Sequence, residues 1–199
     1  MKTITKDKFE IAIQCLACYN QGRLTFYWKS INKNTTLEDI KKSLDVETIH
    51  EKAKVQYLCG GDEYMIADYE DIKIDEYSNA EEIYLYALAL ADVGDVDKVK
   101  AYQQINLDID LDSSDWQEFK DNVQVFNYLS DAKDHAEDYV KEIYDFYSIE
   151  DSFFADWISW DSLKEYILDT WFWCVEIELG YQDKDSYNKS RYFVWTRDA

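Results

Sequence analysis

Residues 9–31, FEIAIQCLACYNQGRLTFYWKSI, contain two apolar segments on either side of the polar tetrad Tyr19-Asn20-Gln21-Gly22. Asn and Gly readily adopt the backbone conformations of tight turns, and the flanking segments are rich in apolar and aromatic residues. The pattern predicts a β-hairpin whose first strand includes Cys15 and Cys18.

The next segments predict the remainder of a small antiparallel sheet with one helix. Thr36 stands at a capping position before acidic residues and predicts a short helix to about Val46. Residues 54–59 and 63–67 have the composition of strands and are interrupted by Gly60-Gly61. A sheet covered by a helix is the simplest assembly of these parts.

Residues 78–122 predict a helical middle section. Ser78 precedes a helix with acids in its first turn and Gly94 at its end. Asp95 begins a second helix to about Gln104, and Ser113 or Ser114 begins a third.

The last third predicts a second α+β section. Its predicted elements are a strand at 123–126, a long helix from Ser130 to about Tyr147, a helix from Ser159 or Asp161 to about Asp169, and strands at 171–179 and 191–195. The predicted fold class is therefore α+β, with small antiparallel sheets, helices at both ends and a helical middle section. The predicted domains are 1–77, a sheet with a helix, 78–122, a small helical domain, and 123–199, an α+β domain with acidic helices.

The net charge of -21 is concentrated in the middle of the chain. Residues 1–61 carry 10 Lys and Arg against 7 Asp and Glu, whereas residues 62–169 carry 7 against 30. Aromatic residues make up 17% of the chain, which argues against a disordered acidic polypeptide. General solubility or adaptation to salt is one explanation of the charge, although it predicts acids along the whole length. A surface that binds a basic partner is the other.

The long predicted helix has one acidic face. Its acids recur every three or four residues: Asp131, Asp134, Asp138, Glu142 and Asp145. Its apolar residues occupy the opposite face: Ala132, Ala136, Tyr139, Val140, Ile143 and Phe146. Lys133 and Lys141 are the cations nearby in the sequence.

The spacing of these acids can be compared with that of DNA phosphates. Carboxylates at this spacing lie about 5–6 Å apart along the helix axis, and duplex DNA carries one charge per roughly 1.7 Å with both strands counted. Several such rows together predict a DNA-like array of negative charge.

Other chemistry has little support in the sequence. Cys15 and Cys18 have CxxC spacing, but residues i and i+3 of a strand face opposite sides, so we expect free buried thiols and no metal site. Residues 108–112, DIDLD, are similar to the start of an EF-hand loop, but Ser113 and Phe119 stand where Gly and Glu are required. We expect no catalytic residues and no cofactor, since neither His is part of a catalytic motif. The alternative to a binding protein is an enzyme that uses clustered acids to hold Ca²⁺ or Mg²⁺.

Several segments resemble the ArdA antirestriction proteins. Residues 13–24, IQCLACYNQGRL, followed by Trp28, are similar to that family's LAxYNxGxLxGxW opening. Residues 63–70, EYMIADYE, resemble its acidic strand end, and 72–82 resemble the start of its helical domain. Residues 136–140 and 157–163 resemble its long helix and its YIDYExFARDL segment.

The resemblance implies an elongated, three-part protein that forms a homodimer and imitates bent B-form DNA. Such proteins are carried by mobile genetic elements such as phages or plasmids, and they act in the cytoplasm of the host bacterial cell. They bind the DNA-binding groove in the methyltransferase core of type I restriction-modification enzymes, with no direct nucleic acid or membrane partner and no enzymatic activity. The dimer contact would lie in the C-terminal domain, where Trp157 and Trp160 are the candidate residues. A mimic that inhibits another defence complex, such as a CRISPR complex, is the closest alternative.

The carboxylates expected to imitate phosphates lie in three parts of the chain. They are Asp68, Glu70, Asp71, Asp75, Glu76, Glu81, Glu82, Asp92, Asp95, Asp97, Asp115, Glu118, Asp121, Asp131, Asp134, Asp138, Glu142 and Asp145.

Overall fold

The computed structural model describes residues 6–55, 59–105, 109–144, 159–178 and 190–196, with the side chains of 140, 142–144 and 160 outside that description. The chain divides into two compact units, Met1–Trp116 and Gln117–Ala199. Each unit has its own three-stranded antiparallel sheet and its own helices, which confirms the predicted α+β class. The division into three domains stays a prediction.

The sheet of the first unit has the order β2-β1-β3. Strand β1 (Lys8–Cys15) pairs with β2 (Phe26–Asn32) and with β3 (Tyr64–Glu70), each time antiparallel. The predicted pairing of the two apolar segments is confirmed, but their connection is not a simple turn. Helix α1 (Leu16–Asn20) follows β1 directly. The chain leaves this helix through Gly22, whose φ of 73° suits glycine.

The predicted helix after Thr36 is confirmed, and a second helix that was not predicted follows it. Thr36 forms a reciprocal capping box with Asp39 at the start of α2 (Leu37–Leu44), as predicted. Asp45 then adopts an extended conformation and its side chain accepts a hydrogen bond from the Thr48 backbone, which begins α3 (Val46–Lys52). Of the strand predicted at 54–59, residue 54 belongs to the turn that ends α3, residues 55 and 59 are not in a strand, and residues 56–58 lie outside the described residues.

Helices α4 (Ala80–Val93) and α5 (Val96–Ile105) follow in the first unit, and α6 (Ser114–Asn122) contains the boundary between the units. Gly94 ends α4 in the left-handed conformation, as predicted. The cap of α4 is Asn79 and not Ser78, because the Asn79 side chain accepts from the Glu82 backbone N–H at 2.9 Å. The core of this unit combines the sheet with the helices and includes Phe9, Ile11, Ile13, Ile31, Ile40, Ile49 and Ile83.

The second unit has the sheet order β4-β6-β5, formed by β4 (Gln124–Phe126), β5 (Phe172–Glu178) and β6 (Ser190–Thr196). Helices α7 (Leu129–Tyr144) and α8 (Trp160–Trp171) pack with this sheet. The shared core includes Ala132, Ala136, Ile167, Leu168, Phe172 and Val194. Helix α7 begins at Leu129, so the prediction that Ser130 caps it is wrong. Within the described ranges, each helix falls short of the length and apolar character that crossing a membrane requires.

Candidate partner-binding surface

Strand β3 ends in an exposed acidic segment at an edge of its sheet. It pairs with β1, and the register shifts between Ala12 and Ile13. The consecutive residues 67–70 of β3 are all exposed, among them Asp68 and Glu70. Residues two apart on a strand project from the same face, so these two carboxylates form a pair on the sheet surface. Charges on an edge strand also discourage pairing with other chains.

The segment after β3 carries carboxylates in different surroundings. Asp71 is half-buried and forms an ion pair of 2.5 Å with Lys6. Asp75 and Glu76 are exposed and line a groove of about 1400 Å³, which Lys73 also lines. Two of these three carboxylates therefore remain on an accessible surface.

The acids of α4 serve the helix as well as the surface. Glu81 is exposed and pairs with Lys41 at 3.0 Å, and the hydrogen bond from Lys41 lowers the pKa of this carboxyl. Glu82 is exposed and completes the capping box with Asn79. Asp92, near the end of the helix, accepts a hydrogen bond of 3.1 Å from the indole of Trp116.

Asp95 and Asp97 do not belong to an exposed acidic row, which corrects the prediction for both. Their exposed fractions are 3% and 5%. The Asp95 side chain accepts from the Asp97 backbone N–H at 3.1 Å, and this contact lies at the start of α5. The Asp95 carboxylate therefore lies at the positive end of the helix, where a negative charge is stabilising.

Helix α6 presents two of its three predicted acids. Asp115 and Asp121 are exposed, whereas Glu118 is half-buried and accepts a hydrogen bond of 3.2 Å from the Thr196 hydroxyl. Just before this helix, Asp110 accepts a hydrogen bond from the Asp112 backbone N–H at 3.1 Å. Asp108 lies outside the described residues.

Helix α7 is amphipathic, as predicted. Asp131, Asp134 and Asp138 are exposed on one face, while Ala132 and Ala136 are fully buried on the other. The side chain of Glu142 and the whole of Asp145 lie outside the described residues.

Part of the acidity of α7 is neutralised by α8, which the sequence did not reveal. Lys164 of α8 contacts Asp134 at 2.7 Å and Glu137 at 2.6 Å. Lys141 contacts Glu137 at 2.6 Å. Burial raises the pKa of Glu137, but the hydrogen bonds from Lys141 and Lys164 outweigh it, so the pKa is lower than usual. Glu137 therefore joins the two helices.

In each of the two units, several of the predicted acids are exposed and have no ion pair with a cation of the described residues. Among the described residues, the exposed predicted carboxylates without an ion pair include Asp68, Glu70, Asp75, Glu76, Glu82, Asp115, Asp121, Asp131 and Asp138.

Helix α8 adds a row of acids that the sequence reasoning missed. Asp161, Glu165 and Asp169 are exposed and stand four residues apart, which places them on one face. Glu165 contacts Lys133 of α7 at 3.4 Å. The spacing was visible in the sequence and could have identified this row.

The structure leaves the predicted dimer residues untested. Trp157 lies outside the described residues, and Trp160 is described only as the first residue of α8.

The CxxC pair is placed differently from the prediction. Strand β1 ends at Cys15, and Cys18 lies in α1, so the two side chains do not alternate across a sheet. Both are buried, and with His50 and Cys59 they form a cluster in which one ligand atom from each residue lies within 4.8 Å of the others. The prediction that this spacing separates the sulfurs is wrong.

Comparison with known families decides where this chain belongs. The family model described as antirestriction protein (ArdA) matches residues 11–167. The chain belongs to the ArdA family. Membership implies an antirestriction function, and the matched range contains the acidic residues of β3, α4, α6 and α7. The comparisons with curated proteins and with solved structures found no match.

Proposed function

We propose that this ArdA family protein inhibits a type I restriction-modification enzyme by occupying its DNA-binding groove as a mimic of DNA, without catalysing a reaction. The observation that carries the proposal is the set of exposed carboxylates that lack an ion pair among the described residues. They occur on β3, on α6 and on α7, so the negative charge belongs to several elements of the fold and not to one helix.

The spacing of these carboxylates determines how many rows mimicry requires. Residues two apart on a strand are separated by about 7 Å, and residues three or four apart on a helix by about 5–6 Å. Phosphates of one DNA strand lie about 3.4 Å apart along the helix axis. One protein row is therefore sparser than one DNA strand, and mimicry requires several rows to act together.

The physical basis of inhibition is competition for a basic groove. Enzymes that bind DNA through Lys and Arg gain much of their affinity from the release of counterions, which makes binding strongly dependent on salt. A rigid acidic surface gains from the same source without being a substrate. Because the proposed contact is spread over many charges, each carboxylate contributes little by itself.

The mimic would act as a homodimer, since two copies extend the acidic surface beyond one chain. The proposed contact involves the C-terminal domain and the tryptophans Trp157 and Trp160. Light scattering coupled to size-exclusion chromatography measures the assembly directly. A W157A/W160A variant that remains dimeric to the same extent would contradict this contact.

The proposed function is tested by DNA cleavage assays in a salt series. We expect the protein to inhibit a type I restriction enzyme at low salt and to lose inhibition steeply as salt rises. A polyglutamate of matched charge controls for nonspecific polyanion binding. Inhibition of a CRISPR nuclease with no effect on type I enzymes would contradict the proposed target. Inhibition that does not depend on salt would contradict competition through electrostatic binding.

A further inference from the structure

Three cysteines and one histidine of the first unit converge on a single point. The Cys15 and Cys59 sulfurs are 3.3 Å apart. Nε2 of His50 lies 3.3 Å from the Cys18 sulfur and 3.6 Å from the Cys59 sulfur. Cys15 and Cys18 are fully buried, His50 is 5% exposed and Cys59 is half-buried.

Four separate parts of the fold supply these side chains. Cys15 is the last residue of β1, Cys18 lies in α1, His50 lies near the end of α3, and Cys59 lies in the segment before β3. A backbone hydrogen bond of 3.0 Å from Leu16 N–H to the Glu63 carbonyl joins two of these parts.

The glycines that follow Cys59 allow this approach. Gly60 has a φ of 74°, which glycine adopts without strain. A Cβ on Gly61 would stand 2.4 Å from the Cβ of Ala17, so a larger residue there would push Cys59 away from the CxxC helix.

The donor set and its dimensions match a tetrahedral zinc site. Zn–S bonds of about 2.3 Å and Zn–N bonds of about 2.0–2.1 Å place tetrahedral sulfurs about 3.8 Å apart, and a sulfur and a nitrogen about 3.6 Å apart. The observed separations are close to these values. Thiol groups are weak hydrogen-bond partners, so hydrogen bonding alone gives three thiols and one imidazole little reason to converge.

We propose that Cys15, Cys18, His50 and Cys59 bind one structural Zn²⁺ ion through three thiolates and Nε2 of the imidazole. Soft sulfur and imidazole donors in a tetrahedral arrangement favour zinc, and four protein ligands leave no position for a substrate. The ion would fasten β1, α1, α3 and the segment before β3 to one another. Binding releases the thiol protons to solvent.

The proposal is independent of the inhibitory function and is tested by the metal content of the reduced full-length protein. The chain has four Cys and two His, so Cys174 and His135 are matched controls outside the cluster. We expect about one Zn²⁺ per chain in the unaltered protein, in C174S and in H135A. We expect C18S and H50A to bind zinc more weakly by at least about tenfold to a hundredfold, the loss seen when only a supporting group is removed.

A spectroscopic measurement on the unaltered chain covers the case in which C18S or H50A fails to fold. Co²⁺ added to the metal-free reduced protein should give thiolate-to-metal charge-transfer bands and intense visible bands of a tetrahedral site, and Zn²⁺ should abolish both. Reduced, folded protein that accepts neither metal would overturn the proposal. A Cys15–Cys59 disulfide that survives in protein purified under reducing conditions, or equal zinc binding by C18S and C174S, would overturn it as well.

Discussion

At the scale of single residues, acids of the same type have different tasks in this protein. Asp95 is buried and contacts a backbone N–H, and Glu137 joins two helices through lysines. Asp131 and Asp138 are exposed and have no ion pair among the described residues. Only residues of the last kind leave their full charge available to a partner. Substitution of a buried acid such as Asp95, or of an ion-paired acid such as Glu137, should therefore affect the stability of the fold more than the affinity for a partner.

Replacing Thr36 tests the capping box of α2. Its hydroxyl accepts from the Asp39 backbone N–H at 3.1 Å, and the Asp39 carboxylate accepts from the Thr36 backbone N–H at 3.1 Å. We expect T36A to lower the free energy of unfolding by about 1 kcal/mol. Urea denaturation measures it. The exposed Glu38 lies in the same turn outside the box, so E38Q is the control, and an equal loss in both variants would contradict the capping role.

Replacing Glu137 tests the carboxylate between α7 and α8. Its pKa is lowered in the folded state, so its stabilisation is present above the usual value of 4.5 and is lost as the pH falls through the folded value. We expect E137Q to lower the free energy of unfolding at pH 7 by about 1–3 kcal/mol, since two charge-assisted hydrogen bonds are lost.

The pH dependence of that loss is the decisive part of the measurement. Thermal unfolding of the unaltered chain and of E137Q should give curves that converge as the pH falls below 4.5. E165Q alters a more exposed pair between the same helices and should have a smaller effect. A difference between E137Q and the unaltered chain that does not shrink in acid would contradict the account.

At the scale of elements, substituting the glycine that ends α4 tests the local basis of the helical section. Gly94 has a φ of 69°, and its N–H donates to the Leu90 carbonyl at 2.9 Å. A Cβ there would meet no atom within 4 Å, so strain in the backbone is the only penalty. We expect G94A to lower the free energy of unfolding by about 1–2 kcal/mol, measured by urea denaturation. Gly61 is not a suitable control, because a Cβ there would collide with the Cβ of Ala17. Unchanged stability in G94A would contradict the role of Gly94 as the left-handed residue that ends α4.

The elements that the sequence predicted well have strong local signals. Helix α4 has a polar cap, acids in its first turn and a glycine at its end, and the predicted helix agrees with the observed one apart from the identity of the cap. Helix α1 was missed because five residues are too few to show a helical period. Helix α3 did carry a signal, since Asp45 is a cap and Val46 and Ile49 are buried three residues apart.

The parts of the candidate surface that could not be predicted depend on contacts between distant segments. Lys164 neutralises Asp134 from 30 residues away, and Cys59 meets Cys15 from 44 residues away. The burial of Asp95 and Asp97 could not be predicted either. The acidic residues around them predict exposure to solvent, and burial depends on segments that are distant in the sequence. Periodicity identifies the face of a helix, whereas the neighbours of that face are set by the fold.

At the scale of the whole molecule, the central claim is that inhibition depends on summed charge on a defined surface. A single exposed ion pair contributes about 0.2–1 kcal/mol. We expect D131N alone to weaken inhibition of a type I enzyme by less than about fivefold, in a titration of DNA cleavage. Complete loss of inhibition in folded D131N would indicate that Asp131 makes one specific contact, and would contradict inhibition by the summed charge of many carboxylates.

The most direct test compares two variants that lose the same charge from different places in the first unit. One carries D68N, E70Q, D75N and E76Q on β3 and the segment after it. The other carries E38Q, E47Q, E51Q and D62N, which are exposed residues outside the proposed surface. The affinity of each folded variant for the methyltransferase core of a type I enzyme is measured as a function of salt. We expect the first variant to bind more than about tenfold more weakly, with a shallower salt dependence, and the second to bind like the unaltered chain. Equal affinities of the two variants would contradict a DNA-like surface, because binding would then depend on the net charge of the protein and not on the positions of its carboxylates.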